Sequence, residues 1–216
     1  VMDRPLLQRF IEKAQRHNVV LVSDECYSEI FPDESAPPTG LLAACADMGL
    51  SDYRNCISMH SLSKRSNLPG MRSGFAAGDA RIIADFLRYR GYHGSAMPPH
   101  HQVASTVAWG DEEHVLDNRN RYREKFAAVR AILEPVLALN NPGGAFYLWP
   151  KVPIDDASFA RRLYAEAGVL VVPGSYLGRD VDAGNPGSGR VRMALVAELA
   201  DCVEAAERIA DFVATL

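Results

Sequence analysis

Asp24 and Tyr27 lie in one short segment of the chain, and Ser61, Ser63 and Lys64 in another, with Arg72 soon after and Arg190 and Arg192 much later. These are residue types that act together on a small charged ligand. Lysine presents a primary amine on a flexible arm, as a nucleophile or as a proton carrier. Hydroxyls beside a guanidinium suit a phosphate. A further guanidinium grips a carboxylate through two parallel bonds. Each group has a blander reading. An acid after a strand often only caps a helix, and a lysine in a serine-rich loop is commonly a solvated turn residue. Their conjunction is what points to a ligand.

The groups gain force from the elements that must carry them. Residues 19–22 (VVLV) form a continuous β-branched run, which predicts a strand buried on both faces, as in a parallel sheet. Residues 57–59 and 75–77 are further strand candidates. Asp24 and Tyr27 therefore follow one strand, and Ser61 to Lys64 the next. In open α/β sheets, ligands bind just beyond the carboxyl ends of the strands. Leu6, Leu7, Phe10, Ile11 and Ala14 recur at helical spacing, with Pro5 suited to a first turn. Asp79 can cap a helix over 80–89. Residues 101–139 read as a long helical stretch interrupted near Gly110, and 140–144 as a turn cluster. Shorter units follow: strands at 146–149, 169–172 and 190–195, and a helix over 158–167. A last helix from about Glu198 would bury Leu199, Val203, Ala206, Ala210 and Val213. Gly184 to Gly189 is a glycine- and proline-rich connection.

The alternation of helix and strand indicates an α/β fold. A sheet-centred part is expected over 1–100, a connecting helical region over 101–139 and a compact α+β domain over 140–216. Composition excludes several function classes. Hydrophobic residues make up 48% and the net charge is −4, with no basic stripe, so nucleic acid is not an expected partner. Arg119 to Arg123 reads as a solvated helix face. No long apolar run would span a membrane, and the first residues lack a signal-peptide layout. Cys26, Cys45, Cys56 and Cys202 are scattered, which reads as reduced thiols and a cytoplasmic setting. His100 and His101 cannot share a helix face, and no Cys/His cluster has metal-ligand spacing, so no metal is expected.

D-E-C-Y at 24–27, S-L-S-K at 61–64 and Arg72, in this order and spacing, resemble the pattern of class I/II aminotransferases that depend on pyridoxal phosphate. G-R-V-R-M-A at 189–194 resembles the family's late substrate-binding arginine segment. The resemblance covers almost the whole chain. It implies the fold type I transferase architecture, as a partial large domain plus a C-terminal small domain. It also implies pyridoxal 5'-phosphate as cofactor, with Lys64 as the catalytic amine that condenses with the cofactor aldehyde and then moves protons. Asp24 matches the acid that keeps the cofactor ring nitrogen protonated, and Tyr27 the hydroxyl that bonds its ring oxygen. Ser61, Ser63 and Arg72 match the phosphate contacts. Arg192 matches the substrate carboxylate clamp, with Arg190 as fallback.

Residues 61–75, 89–98 and 185–196 most resemble bacterial N-succinyldiaminopimelate aminotransferases, which implies amino transfer from glutamate on the diaminopimelate route to lysine. The same frame serves alanine, aspartate, aromatic and kynurenine aminotransferases, so frame alone does not choose a substrate. A β-lyase using the same lysine, acid and phenol is a rival reading, and a non-catalytic interaction domain that has kept the fold is another. The family is typically homodimeric. Relative to it, the chain begins late, after about the first half. An isolated sheet lacking its central strands is therefore expected to expose an apolar face, to be poorly stable and to bind the cofactor weakly.

Overall fold

The computed structural model describes residues 1–94, 96–140 and 142–216, and it divides into two compact units. The first comprises Val1–Arg119 and Gly143–Ala145, the second Asn120–Pro142 and Phe146–Leu216. Ser95 and Asn141, within segments 89–98 and 140–144 singled out above, lie outside the described residues.

The first unit opens with helix α1 (Arg4–His17). Asp3 caps it by accepting the Leu6 N–H at 2.8 Å. Asn18 ends it in the left-handed region at φ 51°, where asparagine is tolerated. Leu7, Ile11 and Ala14 form its buried face. Strands β1 (Leu21–Asp24), β2 (Cys56–Ser61) and β3 (Gly74–Gly78) form a sheet in the order β1-β2-β3. Helix α2 (Leu41–Asp47) lies between β1 and β2 in sequence, and Leu41, Ala44 and Cys45 cluster with Leu7, Ile11 and Cys56. A four-residue helix, α3 (Leu62–Arg65), follows β2, and then a 3-10 turn at Pro69–Met71. Helices α4 (Ala80–Arg90), α5 (Pro99–Gly110) and α6 (Glu113–Leu133) complete the series, and the division between units falls inside α6. Asp79 caps α4 as anticipated, accepting the Arg81 N–H at 2.9 Å.

Two expectations about this sheet need correction. The first strand begins at Leu21, and it is not buried on both faces. Its side chains alternate, with Leu21 and Ser23 half-buried and Val22 50% exposed, because a period of two sends successive residues to opposite faces. The sheet is also mixed. β1 and β2 are parallel, with Asp24 opposite Met59, but β3 runs antiparallel to β2. The turn ending at Arg72, at φ 51°, sends the chain back along β2. At the far end of β3, Gly78 permits a close approach to the start of β2: at φ +143° a Cβ would overlap the carbonyl oxygen of Cys56.

In the second unit, strands β4 (Tyr147–Leu148), β5 (Val172–Pro173) and β6 (Val191–Ala194) form an antiparallel sheet in the order β4-β6-β5. Helices α7 (Asp156–Ala167) and α8 (Leu199–Ala214) pack with it. Phe159, Leu163, Leu133, Leu148, Val191 and Phe212 sit in one apolar cluster, and the Phe159 and Phe212 rings meet edge-on at 5.3 Å. α8 buries Cys202, Ala206, Ile209 and Phe212. Of the face expected from the sequence, only Ala206 is fully buried: the helix is rotated so that its largest side chains, Ile209 and Phe212, reach the core. β5 is shorter than expected and displaced, because only Val172 and Pro173 find partners on β6, while Val171 enters the core and Leu170 stays exposed.

Candidate active site

The parallel pairing of β1 and β2 brings their carboxyl ends side by side. Beyond β1 the chain turns at once. Asp24 Oδ1 accepts the Cys26 N–H at 3.1 Å, and Ile30 donates its N–H to the Tyr27 carbonyl at 3.1 Å. At the end of β2, Ser61 caps α3: its Oγ accepts the Ser63 N–H at 3.0 Å and lies 2.8 Å from Ser63 Oγ. Lys64 is half-buried in α3, with its Nζ 5.8 Å from the centre of the Tyr27 ring. Asn118 reaches the Lys64 carbonyl from α6 at 3.4 Å. Asp24 and Lys64 also act on a common neighbour. Burial, then the hydrogen bond and charge of Asp24, push the Cys26 thiol up to about 11, against the opposing pull of the Lys64 ammonium. Arg72 is exposed at the end of the 3-10 turn and donates to the Pro69 carbonyl at 2.8 Å. A cavity of about 410 Å³ is lined in part by Ser23, Asp24, Glu25, Tyr27, Thr39 and Gly40.

The structure adds residues that sequence reasoning did not single out. Glu25 accepts the Leu41 N–H at 2.7 Å and stands 3.2 Å from His60 Nε2. Burial raises its pKa, but the hydrogen bonds from His60 and Leu41 outweigh burial and hold the carboxyl below its usual range. His60 lies 3.1 Å from Ser58 Oγ and stacks on Phe75 at 4.9 Å. The only sequence signal for this pair was adjacency: Glu25 follows Asp24, and His60 precedes Ser61. Arg119 corrects the expectation of a solvated helix face. It is buried, donates to the Glu29 carbonyl at 2.8 Å, pairs with the Glu29 and Glu34 carboxylates, and lies 4.0 Å over the Phe31 ring. It pins the segment that follows Tyr27.

Arg190 and Arg192 belong to the second unit. Arg192 is on the central strand β6, with its guanidinium 4.8 Å over the Tyr147 ring. Arg190 donates to the Trp149 carbonyl at 2.9 Å. Asp156, buried at the start of α7, accepts the N–H groups of Ser175 at 2.7 Å and Gly189 at 3.3 Å, and so ties the turn that follows β5 to the last residue of the glycine-rich connection before β6. Burial raises its pKa, but these bonds outweigh burial and hold the carboxyl below its usual range. Among the described residues, no group of His, Cys, Asp or Glu is arranged to hold a metal ion, and no helix is long and apolar enough to cross a membrane.

The family model described as aminotransferase class I and II matches residues 1–209. The chain belongs to this family. An LL-diaminopimelate aminotransferase from Nitratidesulfovibrio vulgaris (strain DSM 19637 / Miyazaki F) is 32% identical over 213 residues, covering 96% of this chain and 52% of that protein. A solved aminotransferase from Neisseria meningitidis Z2491 superposes with a TM-score of 0.94 at 48% identity, over 98% of this chain and 54% of that one. A probable N-succinyldiaminopimelate aminotransferase from Thermus thermophilus superposes with a TM-score of 0.82 at 29% identity, over 98% of this chain and 54% of that one. The chain spans about half the length of the curated relatives it matches. Its α/β fold is that of the fold type I aminotransferases, and family membership implies pyridoxal phosphate as cofactor. The first unit contains side chains of the kinds this group requires: an amine beside a phenol, a carboxylate at the neighbouring strand end, and paired hydroxyls.

Proposed function

We propose that this chain provides the cofactor-holding lysine and the substrate-clamping arginine of an aminotransferase. The observation that carries this reading is the placement of Lys64 just past the end of β2, with its amine near the Tyr27 ring and Asp24 ending the parallel neighbour strand. Bound pyridoxal phosphate supplies an aldehyde that accepts an amino group and a ring that takes up electrons. Lys64 would hold the cofactor through its amine and move a proton at the substrate α-carbon. Asp24 would keep a proton on the ring nitrogen, and Tyr27 would donate a hydrogen bond to the ring oxygen. Ser61, Ser63 and Arg72 would take the phosphate. Arg192 would clamp the substrate carboxylate. Arg190 is the weaker choice for that role because part of its guanidinium is engaged by the Trp149 carbonyl.

The substrate we favour is N-succinyl-LL-2,6-diaminopimelate, with glutamate and 2-oxoglutarate as the other pair. The likeness to the Thermus thermophilus protein named above and the segments at 61–75, 89–98 and 185–196 support it. A second reading, LL-diaminopimelate without the succinyl group, is favoured by the names of several relatives at 30–34% identity. By family likeness the working unit is a homodimer, and the cytoplasm remains our expected location.

The deciding experiment is reduction with borohydride after incubation with pyridoxal phosphate, followed by peptide mass mapping. A single phosphopyridoxyl group on Lys64, absent from Lys64→Ala, is expected. A folded chain labelled evenly on Lys13, Lys125 and Lys151, with Lys64 untouched, would refute the site. Amino transfer measured with and without the succinyl group then separates the two substrate readings.

A further inference from the structure

Lys64 sits in a helix of only four residues, too short to hold its own geometry by backbone hydrogen bonding. Something else must fix the direction of the lysine arm, which has four rotatable carbons of its own. The next residue supplies an anchor. The Arg65 side chain is only 7% exposed, although it is a cation. A buried cation persists where it is paired and hydrogen-bonded. Arg65 donates from Nη1 to the Ala108 carbonyl at 2.9 Å, and its Nη2 lies 3.5 Å from the Trp109 carbonyl. It pairs with Glu112 and lies 5.2 Å over the Trp109 ring. Ala108 and Trp109 are in the last turn of α5, where carbonyls lack partners within the helix and the helix dipole is negative. The guanidinium therefore caps α5 from a distant part of the chain. Leu62, fully buried, secures the other end of α3.

We propose that Arg65 is a positioning residue for Lys64, locking α3 to the end of α5 so that the neighbouring amine is held in its reactive place. This rests on the reading of Lys64 as the cofactor-binding amine. Arg65 touches neither cofactor nor substrate in this scheme; it acts through the backbone of α3. Misplacing a reacting group by about 1 Å can lower a rate by roughly a hundred-fold. Loosening one of two anchors is expected to cost roughly ten-fold.

The test compares the full chain with Arg65→Met, Arg65→Gln and Glu112→Gln. The readout is the rate of borohydride-trapped labelling by pyridoxal phosphate at Lys64 per folded molecule, with the folded fraction taken from circular dichroism. Lys13, Lys125 and Lys151 serve as internal references. Arg65→Met should slow Lys64 labelling about ten-fold and leave the three references unchanged. Arg65→Gln, which keeps an amide donor for the α5 carbonyls, should recover part of the loss. Glu112→Gln alters a side chain that is 74% exposed; it should fold whatever happens to the other two and slow labelling two- to three-fold. Wild-type labelling rates per folded molecule in all variants that fold would overturn the positioning role while leaving Lys64 as the cofactor amine. Failure of the folded wild-type chain to label at Lys64 would remove the underlying reading, and the proposal with it.

Discussion

The two units are built by different means. In the second, a large apolar cluster drawn from α6, α7, α8, β4 and β6 surrounds very short strands, and Arg192 rides on the middle one. In the first, the apolar cluster is smaller, drawn from α1, α2 and the start of β2, and Val22, Met59 and Phe75 remain exposed on the sheet. There the candidate chemical groups are placed chiefly by polar contacts: Glu25 with His60, Arg65 with the end of α5, Arg119 with Glu29 and Glu34, and Asp79 with Asn55 and Arg81. Packing without direction makes a stable body, whereas hydrogen bonds and ion pairs set the aim of a side chain. The first unit therefore trades apolar burial for direction, and its geometry should respond to pH and to single polar substitutions more than that of the second.

The sharpest challenge to this contrast is a cavity in the larger core. Phe159→Ala removes a fully buried ring and should destabilise the second unit by about 3–5 kcal/mol in denaturant titration. Leu41→Ala, at the centre of the smaller cluster, should cost about 2–3 kcal/mol, because a smaller core is freer to collapse onto the space. If Leu41→Ala proved the more damaging of the two, the contrast would be inverted. The smallest effect concerns acid. The bonds from Arg81 and the Asn55 N–H, against the opposing effect of burial, hold the Asp79 carboxyl well below its usual range. A depressed folded pKa contributes stability that is fully present above the unfolded value of about 3.9 and is lost as pH falls from there toward the folded value. Asp79→Asn keeps an oxygen to cap α4 but loses the charge facing Arg81 and the second oxygen that accepts the Asn55 N–H, and should cost about 1–2 kcal/mol at neutral pH. It should also flatten the acid limb of the first unit's stability profile. An unchanged acid limb in Asp79→Asn would show that other carboxylates, Glu25 foremost, dominate there.

The local elements around the candidate site were legible in the sequence. The Asp79 cap, and the recurrence of Leu7, Ile11 and Ala14, depend on residues within a few positions of one another. The same holds for the short turns that carry Asp24 and Lys64 past their strands. The strand registry, the reversal of β3 and the rotation of α8 were not legible, because each is settled by a partner far along the chain. Arg119 shows the limit most clearly. Its sequence neighbours are polar and charged, which is the pattern of a solvated face, yet it is buried against Glu29, Phe31 and Glu34, some ninety residues away. Arg65 and His60 are similar cases.

Residue type and near spacing were enough to place Asp24, Tyr27, Ser61, Ser63 and Lys64 after two neighbouring strands, since backbone dihedral preferences and side-chain periodicity act over a few residues, and the family resemblance supplied the cofactor roles proposed for them. Tertiary structure alone established which of the remaining charges are solvated and which are clamps, because the cost of burying a charge depends on partners that only the folded chain brings within hydrogen-bonding distance.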